Sequence, residues 1–282
     1  MTCIRTALES ATAELLHLPE GSARLEAELL LAEALEQTRT YLFAWPEREI
    51  GPTQEAHFQE LLARRLRGEP LAYILGRRGF WTLNLKVAPG VLIPRPETEL
   101  LVELALAAFP SDKTVVAADL GTGSGAIAAA LASERPAWRL FAVDLSEQSL
   151  AVARENFRRL RLANVVCFAG NWCESLPPDL PLDLAVSNPP YVPERDPHLA
   201  RGDLRHEPRS ALAAGEDGLD AVRALMPQVG RRLRPGGLLL LEHGRGQGPA
   251  VRRLLVAAGF DRILSHRDLA GLERVAEARK PV

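Results

Sequence analysis

The period of the hydrophobic pattern changes twice along this chain. Up to residue 77 it is helical. Leu25, Leu29, Ala32 and Leu35 recur at spacings of three and four, as do Phe58, Leu61, Leu62 and Leu66, which puts each set on one helix face. Pro46, Gly51 and Pro52 punctuate between them, and Gly68 with Pro70 closes the second. Residues 78–94 behave differently. Phe80, Trp81, Leu83, Leu85 and Val87, then Pro89-Gly90, then Val91-Leu92-Ile93 predict two short strands turning at Pro89-Gly90, a hairpin that joins two domains. From residue 95 short apolar runs alternate with amphipathic helices. Strands are expected at 115–118, 140–143, 165–168, 182–186 and 238–241, with Leu150, Ala153, Phe157 and Leu160 forming the inner face of one intervening helix. Residues 261–265 and 273–278 supply two last strands, antiparallel in this reading. Strands separated by helices make βαβ units. The expected fold is therefore α/β: a mostly parallel, seven-stranded sheet covered on both faces, preceded by a small all-α N-terminal domain.

One stretch breaks the alternation. Residues 192–217 carry Pro193, Pro197, Gly202, Pro208 and Gly215 without a helical or strand period. Structureless loops beyond about 12–15 residues are usually functional, so a lid is expected here.

Composition narrows the class. Hydrophobic residues at 47% and charged residues at 25% exclude a disordered, collagen-like or disulfide-framed chain. No apolar run approaches the ~20 residues that span a bilayer, and the first residues lack a basic-then-apolar secretory pattern. Cys3, Cys167 and Cys173 are odd in number and widely spaced, which fits neither a disulfide frame nor zinc. A reducing, cytoplasmic setting and a monomer are expected, with no membrane partner. The first 77 residues hold eight arginines against twelve glutamates, a net charge of −4, and the remainder is +2. A nucleic-acid partner would favour a basic surface.

Four motifs carry the chemistry. Asp119-Leu120-Gly121-Thr122-Gly123-Ser124-Gly125 falls between a strand and a helix, where glycines let a ligand approach the backbone. Ala126 stands where a dinucleotide fingerprint has its third glycine, so the spacing suits a cofactor without a pyrophosphate. Asp144, at the tip of the next strand, can accept both hydroxyl protons of a ribose, although Ser146 competes with it as a helix cap. Asn171-Trp172 follows the third strand, where the indole either stacks on adenine or packs into the core. Ser187-Asn188-Pro189-Pro190-Tyr191 ends the fourth strand. The Asn188 oxygen and the Pro189 carbonyl can accept from one planar NH2 group, Pro190 stiffens the turn, and Tyr191 can cover the flat face of that group.

Together with Ile93-Pro94-Arg95-Pro96-Glu97-Thr98-Glu99, Gly68-Glu69-Pro70-Leu71, the stretch from Glu207-Pro208 to Gly218 and Leu241-Glu242-His243-Gly244, these motifs resemble the PrmC/HemK family over essentially the whole chain. The resemblance implies a class I S-adenosylmethionine-dependent methyltransferase with a Rossmann-like sheet over residues 95–282. It also implies a hairpin linker over 78–94 and a substrate-docking helical domain over 1–77. The implied reaction is methylation of the glutamine N5 in the Gly-Gly-Gln motif of class I peptide chain release factors. Carried across by position, Gly121, Thr122, Gly123, Ser124, Gly125, Asp144, Trp172 and Asn188 hold S-adenosyl-L-methionine, and Asn188, Pro189, Pro190 and Tyr191 clamp the substrate. Asn171 stands where the family commonly has Asp. No metal is implied, and His243 reads as a strand-end polar residue rather than a base. Arg231, Arg232 and Arg234 read as a solvated helix end. A nucleobase methyltransferase or a catalytically silent cofactor binder remain the competing readings.

Overall fold

The computed structural model describes residues 2–18 and 21–282. The chain forms two compact units. One takes the residues up to Gly76 together with Ala200–His206, and the other takes Arg77–Leu199 and Glu207–Val282.

The first unit is helical: α1 (Ile4–Leu15), α2 (Ala23–Ala34), α3 (Arg39–Ala44), α4 (Pro52–Leu66) and α5 (Leu71–Leu75). Thr38 caps α3 by accepting from Tyr41 N, and Pro52 opens α4 directly after Gly51. The face expected for α2 is buried only in part. Ala32 and Leu35 enter the core and Leu29 is half-buried, but Leu25 is exposed, and Ala27, Leu30, Leu31 and Ala34 enter the core as well. Because α2 packs against both α1 and α4, its apolar residues serve more than one face, and a single stripe captures only some of them. Two glutamates on α2 are buried, one against a buried arginine and one against two exposed ones. Glu26 holds Arg65, itself only 3% exposed, and Glu28 holds Arg24 and Arg39. The Arg65 guanidinium also reaches Asp203 at 3.1 Å, which ties the segment Ala200–His206 into this unit.

The second unit opens with a hairpin, β1 (Arg77–Phe80) and β2 (Leu83–Lys86), paired antiparallel. It turns at Trp81-Thr82, not at Pro89-Gly90. Trp81 adopts the left-handed conformation (φ 55°) that a two-residue hairpin turn requires, which a tryptophan does not advertise. Val91 and Ile93 are buried but form no strand, and the Ile93 N–H is given to the Glu207 carboxylate instead of a ladder.

After α6 (Glu99–Ala108) the sheet is built in βαβ steps. Its elements are β3 (Val116–Leu120), α7 (Ala126–Glu134), β4 (Arg139–Asp144), α8 (Glu147–Arg159), β5 (Val165–Ala169), β6 (Leu182–Ser187), α9 (Asp220–Arg232), β7 (Leu233–Glu242), α10 (Gly248–Ala257), β8 (Asp261–Arg267) and β9 (Glu273–Arg279). The strand order is β5-β4-β3-β6-β7-β9-β8. The pairs from β5 to β7 are parallel, and β9 runs antiparallel to both its neighbours, as expected for the tail. Order reverses between β3 and β6, and ligands of open α/β sheets bind outside the carboxyl ends of strands at such a switch point.

The arginines at the end of α9 are not simply solvated. Arg232 donates to the carbonyls of Cys173, Leu176, Pro177 and Pro178, and Arg234 pairs with the buried Asp183 at 2.9 Å. Carbonyls left without strand partners before β6 draw the guanidinium in. Residues 192–217 are likewise not structureless. They contain three short 3-10 turns and a parallel bridge between Val192 and Ala213. Among the described residues no helix is long and apolar enough to cross a membrane.

Candidate active site

The residues just past β3, β4, β5 and β6 surround a cavity of about 320 Å³. The turn after β3 is built on left-handed glycines. At Gly125 (φ 83°) a Cβ would sit 2.7 Å from the Phe157 ring, so only glycine lets α7 start this close to α8. Gly121 (φ 79°) and Gly123 present bare backbone to the cavity, whereas Thr122, Ser124 and Gly125 do not line it. Thr122 turns back to Asp119 Oδ2 at 2.6 Å, and the same oxygen accepts Ala128 N at 3.1 Å. Asp119 is fully buried and its Oδ1 has no partner in the protein. Burial pushes its carboxyl up to about 6, against the bonds from Thr122 and Ala128. It braces the turn from beneath.

Asp144 closes β4 and lines the cavity. Its Oδ2 accepts Gly123 N and its Oδ1 accepts Ser146 N, each at 2.8 Å. Ser146 is the cap of α8, accepting Ser149 N, so the competition for that role goes to the serine. Burial raises the Asp144 carboxyl above its ordinary value, against hydrogen bonds from Ser146, Gly123 and Leu145. Each carboxylate oxygen keeps a lone pair for a further donor. Trp172 lines the cavity opposite Gly121, where a Cβ would come within 3.2 Å of the indole. Asn171 also lies on the wall. Two acceptor oxygens, bare peptide backbone and a flat indole suit a ligand with a vicinal diol and a flat base, as in an adenosyl group.

Asn188 and Pro190 also line the cavity. Ser187 anchors them by donating to the Leu120 carbonyl at 2.6 Å, tying the end of β6 to the end of β3. The Asn188 amide is held by its nitrogen, which donates to Thr98 Oγ1 at 3.0 Å and leaves its oxygen for a ligand. Pro189 and Tyr191 do not line the cavity. The Tyr191 hydroxyl donates to Glu242 Oε1 at 3.2 Å, and burial raises its pKa far above the ordinary tyrosine value.

Glu242 is 1% exposed. Its Oε2 has no hydrogen-bond partner in the protein. Burial pushes this carboxyl up to about 7, against the opposing influence of the Thr98 and Tyr191 hydroxyls. The sequence singled out neither Thr98 nor Glu242 for a role, because each has a sufficient local explanation, a helix start and a strand end. Glu207 stood in a family motif without a role of its own; it is a buried carboxylate that holds Ile93 N and Arg95 just before Pro208, Ser210 and Ala211 complete the wall.

The sheet order, the antiparallel last pair and a cavity over the switch point define a class, the Rossmann-like methyltransferases. A methyltransferase from Pyrococcus furiosus shares the fold, with a TM-score of 0.55 at 18% identity, covering 79% of this chain and 100% of that one. Residues 6–76 match the PrmC N-terminal domain and residues 96–207 the methyltransferase small domain. The release factor glutamine methyltransferase of Pseudomonas aeruginosa is 51% identical, covering 98% of both chains. That of Coxiella burnetii is 48% identical over 91% of this chain and 92% of its own. The chain belongs to the release factor glutamine methyltransferase family.

Proposed function

We propose that the protein methylates the side-chain N5 of the glutamine in the Gly-Gly-Gln motif of class I release factors, using S-adenosyl-L-methionine and releasing S-adenosyl-L-homocysteine. The reaction would support translation termination. The observation that carries the reading is the Asn188 amide, held by its nitrogen at the mouth of β6 with its oxygen free beside the cavity.

Asp144 takes the ribose hydroxyls, Gly121 and Gly123 let the cofactor lie against the backbone, and Trp172 covers the adenine. When bound, S-adenosylmethionine supplies an electrophilic methyl group on a sulfonium. A carboxamide nitrogen is a poor nucleophile because its lone pair is delocalised. The residues therefore act chiefly by orientation, which can contribute about 7–11 kcal/mol when the reacting atoms are held in line. Asn188 Oδ1 and the Pro189 carbonyl accept the two amide protons, resist amide planarity and stabilise the positive charge that grows on nitrogen. Thr122, Ser124 and Gly125 serve the cofactor indirectly, by fixing the turn. Pro190 stiffens the clamp, and Tyr191 supports it through Glu242. The methylated nitrogen is acidic enough to lose its proton to water, so no side chain is assigned as base.

The nucleobase alternative presents the same kind of NH2 group. The acidic helical domain and near-neutral catalytic domain favour a protein acceptor. The protein is proposed to act as a cytoplasmic monomer without a nucleic-acid or membrane partner. Incubation with labelled S-adenosylmethionine and either a class I release factor or total RNA and DNA tests this. Label on the release factor is expected, and label on nucleic acid alone would overturn the reading.

A further inference from the structure

Gln247 stands at the head of α10, outside the cavity wall, and its side chain makes no cap bond to its own helix. Its amide is engaged elsewhere. The oxygen accepts Gly244 N at 2.8 Å, while the nitrogen donates to the Tyr191 carbonyl at 2.9 Å and to the Asp217 carbonyl at 3.1 Å. We propose that Gln247 is a positioning residue for methyl transfer, fixing the far end of the Asn188–Tyr191 clamp. The inference rests on the reading given above.

A local role explains only the first of these bonds. Gly244 shares a turn with Gln247, whose own N–H returns to the Gly244 carbonyl at 3.1 Å. The other two partners lie 56 and 30 residues away in sequence. An NH2 group has two protons, and both are used. Turning the amide over would set its oxygen against two carbonyls and its NH2 against an N–H. The neighbouring chain leaves room for it. A Cβ at Gly244 would lie 2.8 Å from Gln247 Oε1, and one at Gly218 would lie 2.8 Å from Nε2 and collide with the Tyr191 carbonyl.

What the amide holds is the aim of the clamp. In the proposed reaction the Pro189 carbonyl accepts one proton of the acceptor, and a main-chain carbonyl is aimed only by the backbone on either side of it. On the near side Ser187 is fixed, paired with Leu241 in the sheet and bonded to the Leu120 carbonyl at 2.6 Å. Pro189 and Pro190 are stiff but have no N–H to anchor them. The next anchor is Tyr191. Glu242 holds its hydroxyl, and its main chain is held by Leu212 O, which accepts Tyr191 N at 3.1 Å, and by Gln247. Leu212 lies in the loop that brings Ser210 and Ala211 to the wall, and the same NH2 group holds that loop at Asp217. Loss of this one amide therefore frees both the end of the clamp and the loop that supports it. A misplacement of about 1 Å can cost about 100-fold in rate.

The test is single-turnover methylation of a release factor by the full-length enzyme, at saturating cofactor and release factor. Gln247→Met keeps the length of the side chain and removes the three bonds. It should lose about 10- to 100-fold in rate, with the affinity for S-adenosylhomocysteine unchanged within about threefold. Gln247→Glu is the closer match in shape, but its carboxylate can only accept and turns an oxygen toward two carbonyls. It should lose at least as much as Gln247→Met, the reverse of the order that shape alone would give. A rate within about threefold of wild type in either variant overturns the proposal, as does a loss that only tracks lost cofactor affinity. A second measurement needs no variant to fold. In wild type the side-chain NH2 protons of Gln247 should exchange with solvent at least about tenfold more slowly than those of the exposed Gln59, and equal rates would overturn the proposal. If wild type methylates a nucleobase and not the release factor, the substrate reading fails, and the same variants are then read on that acceptor.

Discussion

Asn188 and Asp144 line one cavity, and the proposed chemistry gives them separable signatures. Asn188→Ala removes an acceptor that matters most once charge develops on the amide nitrogen. It should cut turnover about 100-fold or more while cofactor binding persists. Asp144→Ala should do the reverse, weakening binding measured by calorimetry because the ribose does not react. Asp119 gives a pH signature of a different kind. Its folded pKa of about 6 lies above the ordinary 3.8. Its contribution to stability is thus fully present below pH 3.8 and is lost as pH rises through about 6. Asp119→Asn keeps the shape and removes the titration. The stability of the variant relative to wild type should rise between those two pH values by up to about 3 kcal/mol, measured by denaturant unfolding at each pH. A constant difference would mean that the wild-type carboxylate carries no burial penalty.

At the scale of elements, the start of α7 depends on one position. A methyl group at Gly125 meets the Phe157 ring at 2.7 and 2.8 Å and Ala153 Cβ at 3.1 Å, on a backbone at φ 83°. Gly125→Ala should cost about 2–4 kcal/mol in unfolding free energy and weaken cofactor binding, since the same turn carries Gly121 and Gly123. Unchanged stability and affinity would show that α7 and α8 can part without cost. The strands of the sheet were legible because each is a short apolar run ending in polar or glycine-rich chemistry. β4 stops at Asp144 and β6 at Ser187-Asn188, so element boundaries and site residues coincide. The hairpin turn was not legible, because its conformational cost falls on Trp81, while Pro89-Gly90 does form a turn, closed by Val91 N on the Ala88 carbonyl, but leads into buried chain instead of a strand. Part of the buried surface of α2 was hidden for a related reason. Glu26 and Glu28 read as solvent-facing, and only their pairing with Arg65, Arg24 and Arg39 lets that side go inward. The bond from Asn188 to Thr98 illustrates the limit at the site. A contact across 90 residues of sequence leaves no local pattern.

For the whole molecule, the helical unit is proposed to dock the protein substrate, on the strength of its separate period and its acidic charge. The cavity is lined by residues of the larger unit alone. A chain starting at Arg77 should therefore still bind S-adenosylmethionine but methylate a release factor poorly. It would also leave Asp203 without Arg65, loosening the segment Ala200–His206. Full activity of the shortened chain would remove the docking role. The account as a whole stands on where the methyl group goes. The decisive measurement is fragment-ion mass spectrometry of a class I release factor after incubation with the enzyme and S-adenosylmethionine. A single added methyl on the side-chain amide of the Gly-Gly-Gln glutamine, absent when that residue is changed to alanine, is the predicted result. A methyl on any other residue, or one that persists in the alanine variant, would contradict it.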